Sequence, residues 1–427
     1  MESARRILMM EAMRVTGGTL LRGTVHVLGA KNAALKHLVA TLLAPGAHTL
    51  TNVPDIVDVS LMGEVLTHVG ATCTVDGTTM TVTVPDDISA EAPLEVVSRM
   101  RASILVVGAL LARVGEVRIA LPGGDDFGSR PIDMHLDGLR RLGAEFEIRE
   151  GALHGWAPRG LIGADVELEF PSVGATENIL LAAVMAKGTT ILTNAAREPE
   201  LTDLAIFLCA MGATITGAGT SRLEITGVPE LHAATHAVVP DRLEAGTYLL
   251  AGAASGGEVT VEDCVPDHLR MELSKMRAAG CDVVTGDSSI TVSGPGRPTA
   301  VDFATLPYPG FHTDMHPQMV AFLASGLGTS IMTENIYSGR FRYIDMLNRM
   351  GAAIRVDGQH VVIDGQSRLS GTTVDACDIR AGAALTIAAL AAEGTTTILD
   401  ASHLDRGYTE FVPKLAALGA TIERFDI

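Results

Sequence analysis

Six stretches of the chain carry apolar residues on nearly every helical face. Their sequences are NAALKHLVATLLA (32–44), ASILVVGALLA (102–112), ATENILLAAVMA (175–186), EAGTYLLAGAA (244–254), QMVAFLASG (318–326) and AGAALTIAALAA (381–392). A helix of this composition is normally buried, because a surface helix keeps one polar face. The pattern therefore predicts buried helices that recur along the whole chain.

A short phrase recurs after each buried stretch, as in RLGAEFEI and AMGATITG. Its glycine stands at positions 70, 143, 212, 280, 351 and 419, so the chain repeats a unit of about 70 residues six times. An earlier glycine opens a strand-like run in each unit, at positions 46, 115, 188, 257, 328 and 394. The pattern thus predicts the same elements in each unit: a buried helix, a strand, a loop, an amphipathic helix that ends at glycine, and two or three more strands.

The sixth unit stops at GATIERFDI and lacks its last strands. Residues 13–29 resemble the end of the fifth unit, and we expect them to supply those strands. The repeat therefore predicts an α/β protein of two domains with three units each, 31–240 as the first domain and 1–30 with 241–427 as the second. A solenoid of six stacked units without catalytic residues is the alternative, but solenoid loops are usually alike and these loops differ sharply in charge.

Composition limits the kinds of partner. The chain has 427 residues, of which 47% are hydrophobic and 19% charged, as in folded globular proteins. Its 32 basic and 50 acidic side chains give a net charge of -18, which argues against nucleic acid or an anionic membrane as partner. A small anionic substrate remains compatible with this charge if the cations are gathered locally.

Cysteine usage and the length of the apolar runs indicate the compartment. The five cysteines are widely spaced and form no C-x-x-C pair, so neither a disulfide framework nor a zinc site is indicated. The apolar runs are too short for a signal peptide core or for a span across a bilayer. These features predict a cytoplasmic protein with no membrane segment.

Basic side chains recur at equivalent places in the units. Lys31, Arg101 and Arg380 precede buried helices, and Arg130 and Arg406 follow strands. Each one alone is equally well explained as a brace within its own unit, but the set indicates an anion site. The helix start at PSVGAT (171–176) offers free N–H groups for a diphosphate. No histidine spacing indicates a metal, and there is no dinucleotide or P-loop motif.

Eight motifs carry a resemblance to a known family, and they follow in its order and spacing. They are GAKNAALKHLVATLLA, MRASILVVGALLAR, PGGDDFGSRPIDMH, SVGATENILLAA, NAAREPELTDL, PDRLEAGTYL, FHTDMHPQ and LDRGY. Together they resemble the UDP-N-acetylglucosamine enolpyruvyl transferases (1-carboxyvinyltransferases), of the same superfamily as 5-enolpyruvylshikimate-3-phosphate synthase. The resemblance runs from about residue 13 to the C-terminus. It implies two inside-out α/β barrel domains of three units each.

The resemblance also implies an activity. A transferase of this family moves enolpyruvyl from phosphoenolpyruvate to the 3-hydroxyl of the sugar and releases phosphate, which is the first committed step of peptidoglycan precursor synthesis. Cell wall biogenesis, cell shape and cell division depend on that step. The reaction requires no metal and no organic cofactor, and the resemblance leaves the oligomeric state open.

The resemblance assigns roles to individual residues. Lys31, Asn32, Arg130 and Arg406 are implied to hold phosphoenolpyruvate, with Arg380 nearby, because phosphate and carboxylate both need neutralising. Asp125 is implied as the acid that protonates the methylene carbon, and Asp314 as the carboxylate that takes the proton of the sugar hydroxyl. Catalysis thus rests on Asp125, Asp314, Lys31 and Arg406. The nucleotide sugar is expected at Arg101, Arg130, Pro131, Ile132, Asp133, Met134, Phe170, Pro171, Ser172, Val173, Gly174, Asp314 and Ile336.

The sequence departs from the family pattern at three places. Many relatives carry cysteine where this chain has Asp125, and fosfomycin acts on the family by alkylating that cysteine, so we expect fosfomycin resistance. His316 stands where glutamine is common, and YSGR (337–340) replaces a more usual FENR. Because the last two lie near the expected sugar site, a different nucleotide or nucleoside acceptor is the alternative.

Overall fold

The computed structural model describes residues 11–92, 94–97, 99–120, 131–337, 339–365 and 368–427. The strands are β1 (Glu11–Thr16), β2 (Arg22–His26), β3 (Gly46–Thr51), β4 (Thr72–Asp76), β5 (Thr79–Val84), β6 (Glu116–Ala120), β7 (Glu145–Arg149), β8 (Ala152–Trp156), β9 (Asp165–Glu167), β10 (Thr189–Thr193), β11 (Thr214–Thr216), β12 (Arg222–Thr226), β13 (Thr235–Ala237), β14 (Glu258–Glu262), β15 (Asp282–Thr285), β16 (Ser289–Ser293), β17 (Phe303–Ala304), β18 (Thr329–Thr333), β19 (Ala353–Asp357), β20 (His360–Asp364), β21 (Thr373–Asp375), β22 (Thr395–Leu399) and β23 (Thr421–Asp426).

The α-helices are α1 (Lys31–Thr41), α2 (Val57–His68), α3 (Leu94–Val97), α4 (Val106–Arg113), α5 (Asp133–Arg141), α6 (Val173–Ala183), α7 (Pro199–Ala210), α8 (Arg242–Ser255), α9 (Arg270–Ala278), α10 (His316–Leu323), α11 (Arg342–Arg349), α12 (Ile379–Ala391) and α13 (Phe411–Ala417). Short 3-10 helices cover Arg101–Leu105, Pro266–Leu269 and Ala401–Arg406. Within the described residues, no helix is long and apolar enough to span a bilayer.

The described residues divide into two compact units, each with its own hydrophobic core. The inserted unit comprises the described residues of 29–239, and the split unit comprises those of 11–28 and 240–427. The domain limits expected from the sequence, 31–240 for the first domain, differ from these limits by one or two residues.

Among the described residues, the strands form six sheets, three in each unit. In each four-stranded sheet, the strand after the buried helix lies between a parallel and an antiparallel neighbour. β10, for example, pairs in parallel with β9, Leu192 opposite Val166, and antiparallel with β12, Leu192 opposite Leu223. The orders are β13-β3-β5-β4, β6-β8-β7 and β11-β12-β10-β9 in the inserted unit, and β21-β22-β1-β23, β15-β16-β14-β2 and β17-β18-β20-β19 in the split unit.

The N-terminal strands complete the split unit. β1 lies between β22 and β23 and pairs antiparallel with both, so that Val15 faces Thr396 and Ile422. β2 pairs in parallel with β14. The expectation that residues 13–29 supply the strands missing from the sixth unit is therefore confirmed.

The predicted apolar stretches form the interior of each unit. In α8 every residue from Arg242 to Ala254 is buried, and α8, α10 and α12 pack on one another. In both units the sheets lie against the buried helices and keep their outer side in solvent. In the inserted unit, β10 lies against α6, buries Thr190 and Leu192 and exposes Thr189. Because the helices lie inside the sheets, each unit is an inside-out α/β barrel, as expected.

Glycines end the amphipathic helices, as the repeated phrase predicts. Gly143 and Gly212 have φ values of 96° and 105°, in the left-handed region where other residues are strained. In the fourth unit the left-handed residue before the strand is Gly256 (φ 73°). Gly257, which the sequence marks as the opening glycine, serves close packing instead, since a Cβ there would lie 1.9 Å from the carbonyl oxygen of Leu21.

Candidate active site

In the split unit, the carboxylate of Asp314 lies between two buried arginines. Arg340 Nη1 donates to Oδ1 over 2.5 Å, and Arg380 Nε donates to Oδ2 over 3.2 Å. Burial alone raises the pKa of Asp314, but the positive charges of Arg340 and Arg380 outweigh burial and hold that pKa well below its usual value. Asp314 is therefore ionised at neutral pH. The sequence did not indicate the pairing of Arg340 with Asp314.

Arg380 is held in place by two further side chains. Asp378 is the N-cap of α12, and its Oδ1 accepts hydrogen bonds from the backbone N–H groups of Arg380 and Ala381 at 2.7 and 3.0 Å. Arg380 Nη1 donates to the hydroxyl of Tyr408 over 3.0 Å. Arg406, the other predicted residue of this region, is half-buried at the end of the 3-10 helix that precedes Tyr408.

Glu334 is a buried organiser that sequence reasoning missed. Its Oε1 accepts hydrogen bonds from the backbone N–H groups of Ile336 and Tyr337 at 2.6 and 2.9 Å. Its Oε2 accepts from the hydroxyl of Thr313 over 3.0 Å. Glu334 therefore holds Ile336 beside the segment that carries Asp314. Its position directly after β18, at the end of an apolar strand, was the one feature of the sequence that could have indicated it.

His316, one of the departures from the family pattern, has no exposed surface. Its Nδ1 lies 3.1 Å from the Tyr343 hydroxyl, and its Nε2 lies 3.2 Å from Glu334 Oε2. Burial, reinforced by the charge of Arg340, holds the pKa of His316 well below its usual value, so the ring is neutral. His316 therefore contacts Glu334 from the interior of the split unit. Ser338, within the other departure, lies outside the described residues.

In the inserted unit, Lys31 is the first residue of α1 and is almost fully buried. Its Nζ lies 2.7 Å from Oδ2 of Asp58, in the first turn of α2, a partner that the sequence did not indicate. Among the described residues, no side chain caps the start of α1. The positive end of the α1 helix dipole lies beside Lys31 and Asn32, an arrangement that suits a phosphate.

The structure brings Arg101 to the residues before α5. Arg101 Nη2 donates to the carbonyl oxygen of Pro131 over 3.2 Å. Ile132 precedes the first turn of α5, in which Asp133 Oδ1 accepts from the backbone N–H of Met134 over 2.9 Å. Two predicted parts of the sugar-binding site, Arg101 and residues 131–134, are therefore neighbours in the structure.

The segment that starts α6 packs against α5. Ser172 is the N-cap, and its hydroxyl accepts from the backbone N–H of Ala175 over 3.3 Å. Gly174 lies so near the ring of His135 that a Cβ at position 174 would be 2.8 Å from Cε1. Phe170 is 37% exposed, and positions 171–174 are half-buried, so ligands can reach them.

The predicted acid Asp125, its neighbour Asp126 and the cation Arg130 lie outside the described residues. Their roles remain predictions from the sequence.

A buried cluster in the inserted unit was not predicted. His37 on α1, Asp203 on α7 and His236 on β13 place one nitrogen or oxygen atom each within 4.8 Å of one another. They are far apart along the chain, so no local spacing could indicate them.

Comparisons with known proteins identify the family. The sequence profile of EPSP synthase (3-phosphoshikimate 1-carboxyvinyltransferase) matches residues 15–415. The UDP-N-acetylglucosamine 1-carboxyvinyltransferase of Corynebacterium efficiens is 49% identical over 96% of this chain and 97% of its own. That of Mycobacterium tuberculosis is 49% identical over 97% and 99%.

Solved structures agree in fold. The enolpyruvyl transferase NikO from Streptomyces tendae has a TM-score of 0.89 at 27% identity and covers 98% of this chain and 100% of its own. An EPSP synthase from Acinetobacter baumannii, 17% identical, has a TM-score of 0.73 over 97% and 100% of the two chains and shares the fold. With the profile match and the near full-length relatives, this chain belongs to the EPSP synthase family of enolpyruvyl transferases.

Proposed function

We propose that this protein is a UDP-N-acetylglucosamine 1-carboxyvinyltransferase, which transfers enolpyruvyl from phosphoenolpyruvate to the 3-hydroxyl of UDP-N-acetylglucosamine and releases phosphate. The observation that carries the proposal is 49% identity over 96% of the chain to a protein of that name. The reaction is the first committed step of peptidoglycan precursor synthesis, so the enzyme serves cell wall biogenesis, cell shape and division. We propose the cytoplasm as its location, since both substrates are cytoplasmic metabolites.

The reaction proceeds by addition and elimination. Asp125 gives a proton to the methylene carbon of phosphoenolpyruvate while the sugar oxygen forms a bond to the neighbouring carbon, and the hydroxyl proton passes to Asp314. Loss of a proton from the new methyl group and departure of phosphate then restore the double bond in the product. The atoms balance without an oxidant, a metal or an organic cofactor.

Phosphoenolpyruvate carries two anionic groups, and we assign them to Lys31, Asn32, Arg130 and Arg406, with Arg380 nearby. The buried ion pair of Lys31 with Asp58 supports a fixed position for that ammonium group. Asp378 accepts from the backbone N–H of Arg380, and the Tyr408 hydroxyl accepts from its guanidinium group, which supports a fixed position for Arg380 as well.

The nucleotide sugar is assigned to two sets of residues. In the inserted unit, Arg101, residues 131–134 and residues 170–174 take the nucleotide, with the N–H groups at the start of α6 toward the diphosphate. In the split unit, Asp314 and Ile336 take the sugar. The bonds from Glu334 to Ile336 and Thr313 support a joint role for these two residues.

The low pKa of Asp314 defines how it acts. A carboxylate paired with Arg340 and Arg380 is a weak base, so it does not remove the hydroxyl proton before attack. It accepts that proton as the new C–O bond forms, when the hydroxyl becomes strongly acidic. Its first role is to orient the hydroxyl by accepting its hydrogen bond.

Phosphate release measures the function and separates it from the alternative. Purified protein is given phosphoenolpyruvate with UDP-N-acetylglucosamine, with other nucleotide acceptors, or with shikimate 3-phosphate. We expect steady release only with UDP-N-acetylglucosamine, and none when either substrate is left out. Release only with a different nucleotide would favour the alternative, an enolpyruvyl transferase with another acceptor, which the departures at His316 and residues 337–340 suggested. No release with any acceptor would contradict the proposed activity.

A further inference from the structure

Three side chains from distant segments meet in the interior of the inserted unit. His236 Nε2 lies 2.9 Å from Asp203 Oδ1, and His37 Nε2 lies 3.3 Å from Asp203 Oδ2. The two imidazole rings lie next to each other, with centroids 4.8 Å apart. Two imidazole nitrogens and one carboxylate oxygen therefore lie within 4.8 Å of one another.

His37 is the member of the cluster whose burial is unexplained. Its side chain is wholly buried, and within the described part of the chain neither ring nitrogen makes a hydrogen bond. Leaving a buried polar group unsatisfied costs about 1–3 kcal/mol. A neutral imidazole keeps a lone pair on one of its two nitrogens, and that lone pair can bind a cation.

Asp203 and His236 supply charge and access. Asp203 accepts the backbone N–H of Val239 at Oδ2 over 3.0 Å, and its two oxygens keep lone pairs for other partners. The side chains of Asp203 and His236 retain 10% and 11% of their surface in solvent, which provides an entry path for an ion. When the two imidazoles bind in their neutral form, the single carboxylate offsets one of the two charges of a divalent cation.

We propose that His37, Asp203 and His236 bind a divalent transition metal ion, with Zn²⁺ as the best match, which braces the inserted unit. Zn²⁺ takes imidazole nitrogen and carboxylate oxygen at 2.0–2.2 Å and prefers a tetrahedron, whose ligand atoms lie about 3.4 Å apart. The 3.3 Å contact of His37 with Oδ2 of Asp203 matches that spacing, whereas the 2.9 Å contact of His236 with Oδ1 would lengthen on binding. Mg²⁺ and Ca²⁺ are disfavoured because both prefer oxygen ligands.

The role of this ion is structural. It ties α1 to α7 and to β13, and solvent supplies its fourth ligand. Lys31 begins α1, so the ion also fixes the helix that carries a proposed substrate-binding residue. Because the folded chain binds the ion and the unfolded chain lacks the site, binding adds to the stability of the unit.

The test uses the full chain, stripped with a chelator and titrated with Zn²⁺ by calorimetry and with Co²⁺ by visible absorption. We expect one ion per chain, a higher unfolding temperature with Zn²⁺, and the visible bands of tetrahedral Co²⁺. His37→Gln and His236→Gln should each weaken binding by more than the about 10- to 100-fold typical of losing an outer partner. His48→Gln, which alters another buried histidine of the same unit, should bind as the unaltered protein does.

Two results would overturn the site. The first is an unaltered chain that shows no saturable Zn²⁺ binding and no shift in unfolding temperature. The second is binding that His37→Gln and His236→Gln leave unchanged, which would locate the ion elsewhere. Circular dichroism checks the fold of each variant, and His236→Gln, at the partly exposed edge, carries the comparison if His37→Gln does not fold.

Discussion

At Asp314, two buried guanidinium groups decide the state of one carboxylate. Arg340 and Arg380 are each only 3% exposed, so removing the carboxylate would leave two buried charges without their partner. The family resemblance was sufficient to single out Asp314. It could not reveal the pairing with Arg340 or the role of Glu334, because both depend on contacts that form only when distant segments fold together.

Replacing Asp314 with asparagine should leave an orienting oxygen but no proton acceptor. We expect Asp314→Asn to lower kcat by about 10²- to 10⁴-fold. Asp345→Asn, an exposed aspartate on α11, should keep normal turnover. Steady-state phosphate release with circular dichroism measures both variants, and near-normal turnover by Asp314→Asn would remove the proton-accepting role.

Asp125 carries the prediction on the proton donor and on fosfomycin. A free aspartate with a pKa of about 3.9 is protonated in only about one molecule in a thousand at pH 7, so activity should fall as pH rises. Asp125→Asn should bind substrates but lose turnover, while Asp126→Asn serves as the neighbouring control.

The unaltered enzyme should resist fosfomycin, and Asp125→Cys should be active and sensitive. A covalent drug adduct on the unaltered chain would contradict this placement of the donor.

His135 should make the protein lose stability in acid. Burial, followed by the charge of Arg101, lowers its pKa to about 4 from an ordinary 6.5. Between pH 6.5 and 4 the unfolded chain takes up a proton that the native chain excludes, so the free energy of unfolding falls as pH falls, by about 3 kcal/mol. Denaturant unfolding at pH 7 and pH 4.5 should show a smaller loss for His135→Gln than for the exposed control His232→Gln. Equal losses would contradict the assignment.

At the scale of helices and strands, hydrophobic pattern and glycine position carried most of the information. A helix that is apolar all round has only the interior available, and the repeated glycines end helices because only a residue without Cβ adopts a left-handed φ at low cost. The repeat predicts two or three strands at the end of each unit, but the limits of the short parallel strands β9, β13 and β17 could not be read from the sequence, because such short runs have no measurable period. Gly256 and Gly257 could not be told apart either, since both are glycine.

The N-cap of α12 links helix stability to the site. Asp378→Ala removes the acceptor for two backbone N–H groups, one of them from Arg380, so we expect a loss of about 1 kcal/mol in the free energy of unfolding and a lower kcat. Asp378→Asn keeps an acceptor and should recover most of both. Asp375→Ala, a half-buried aspartate before α12, is the control. Equal behaviour of the alanine and asparagine variants at 378 would exclude the capping role.

At the scale of the whole molecule, the sixfold repeat predicted the architecture, including the N-terminal strands that complete the split unit. A regular repeat can be recognised in a single sequence because the same short phrase returns at a nearly constant distance along the chain. The cluster of His37, Asp203 and His236 could not be predicted, because its members stand far apart along the chain on two helices and a short strand. The family resemblance supplied the expected acceptor, which the fold alone does not identify, since one barrel architecture serves several acceptors.

The most direct measurement is the structure of the product. Phosphoenolpyruvate and UDP-N-acetylglucosamine are incubated with the enzyme in D₂O, and the nucleotide product is analysed by mass spectrometry and NMR alongside the released phosphate. The account predicts one phosphate per product, an enolpyruvyl ether at the 3-oxygen of the sugar, and deuterium in its methylene group, because addition and elimination pass through a methyl group. An unmodified sugar nucleotide, or an enolpyruvyl group attached at a different position, would contradict it.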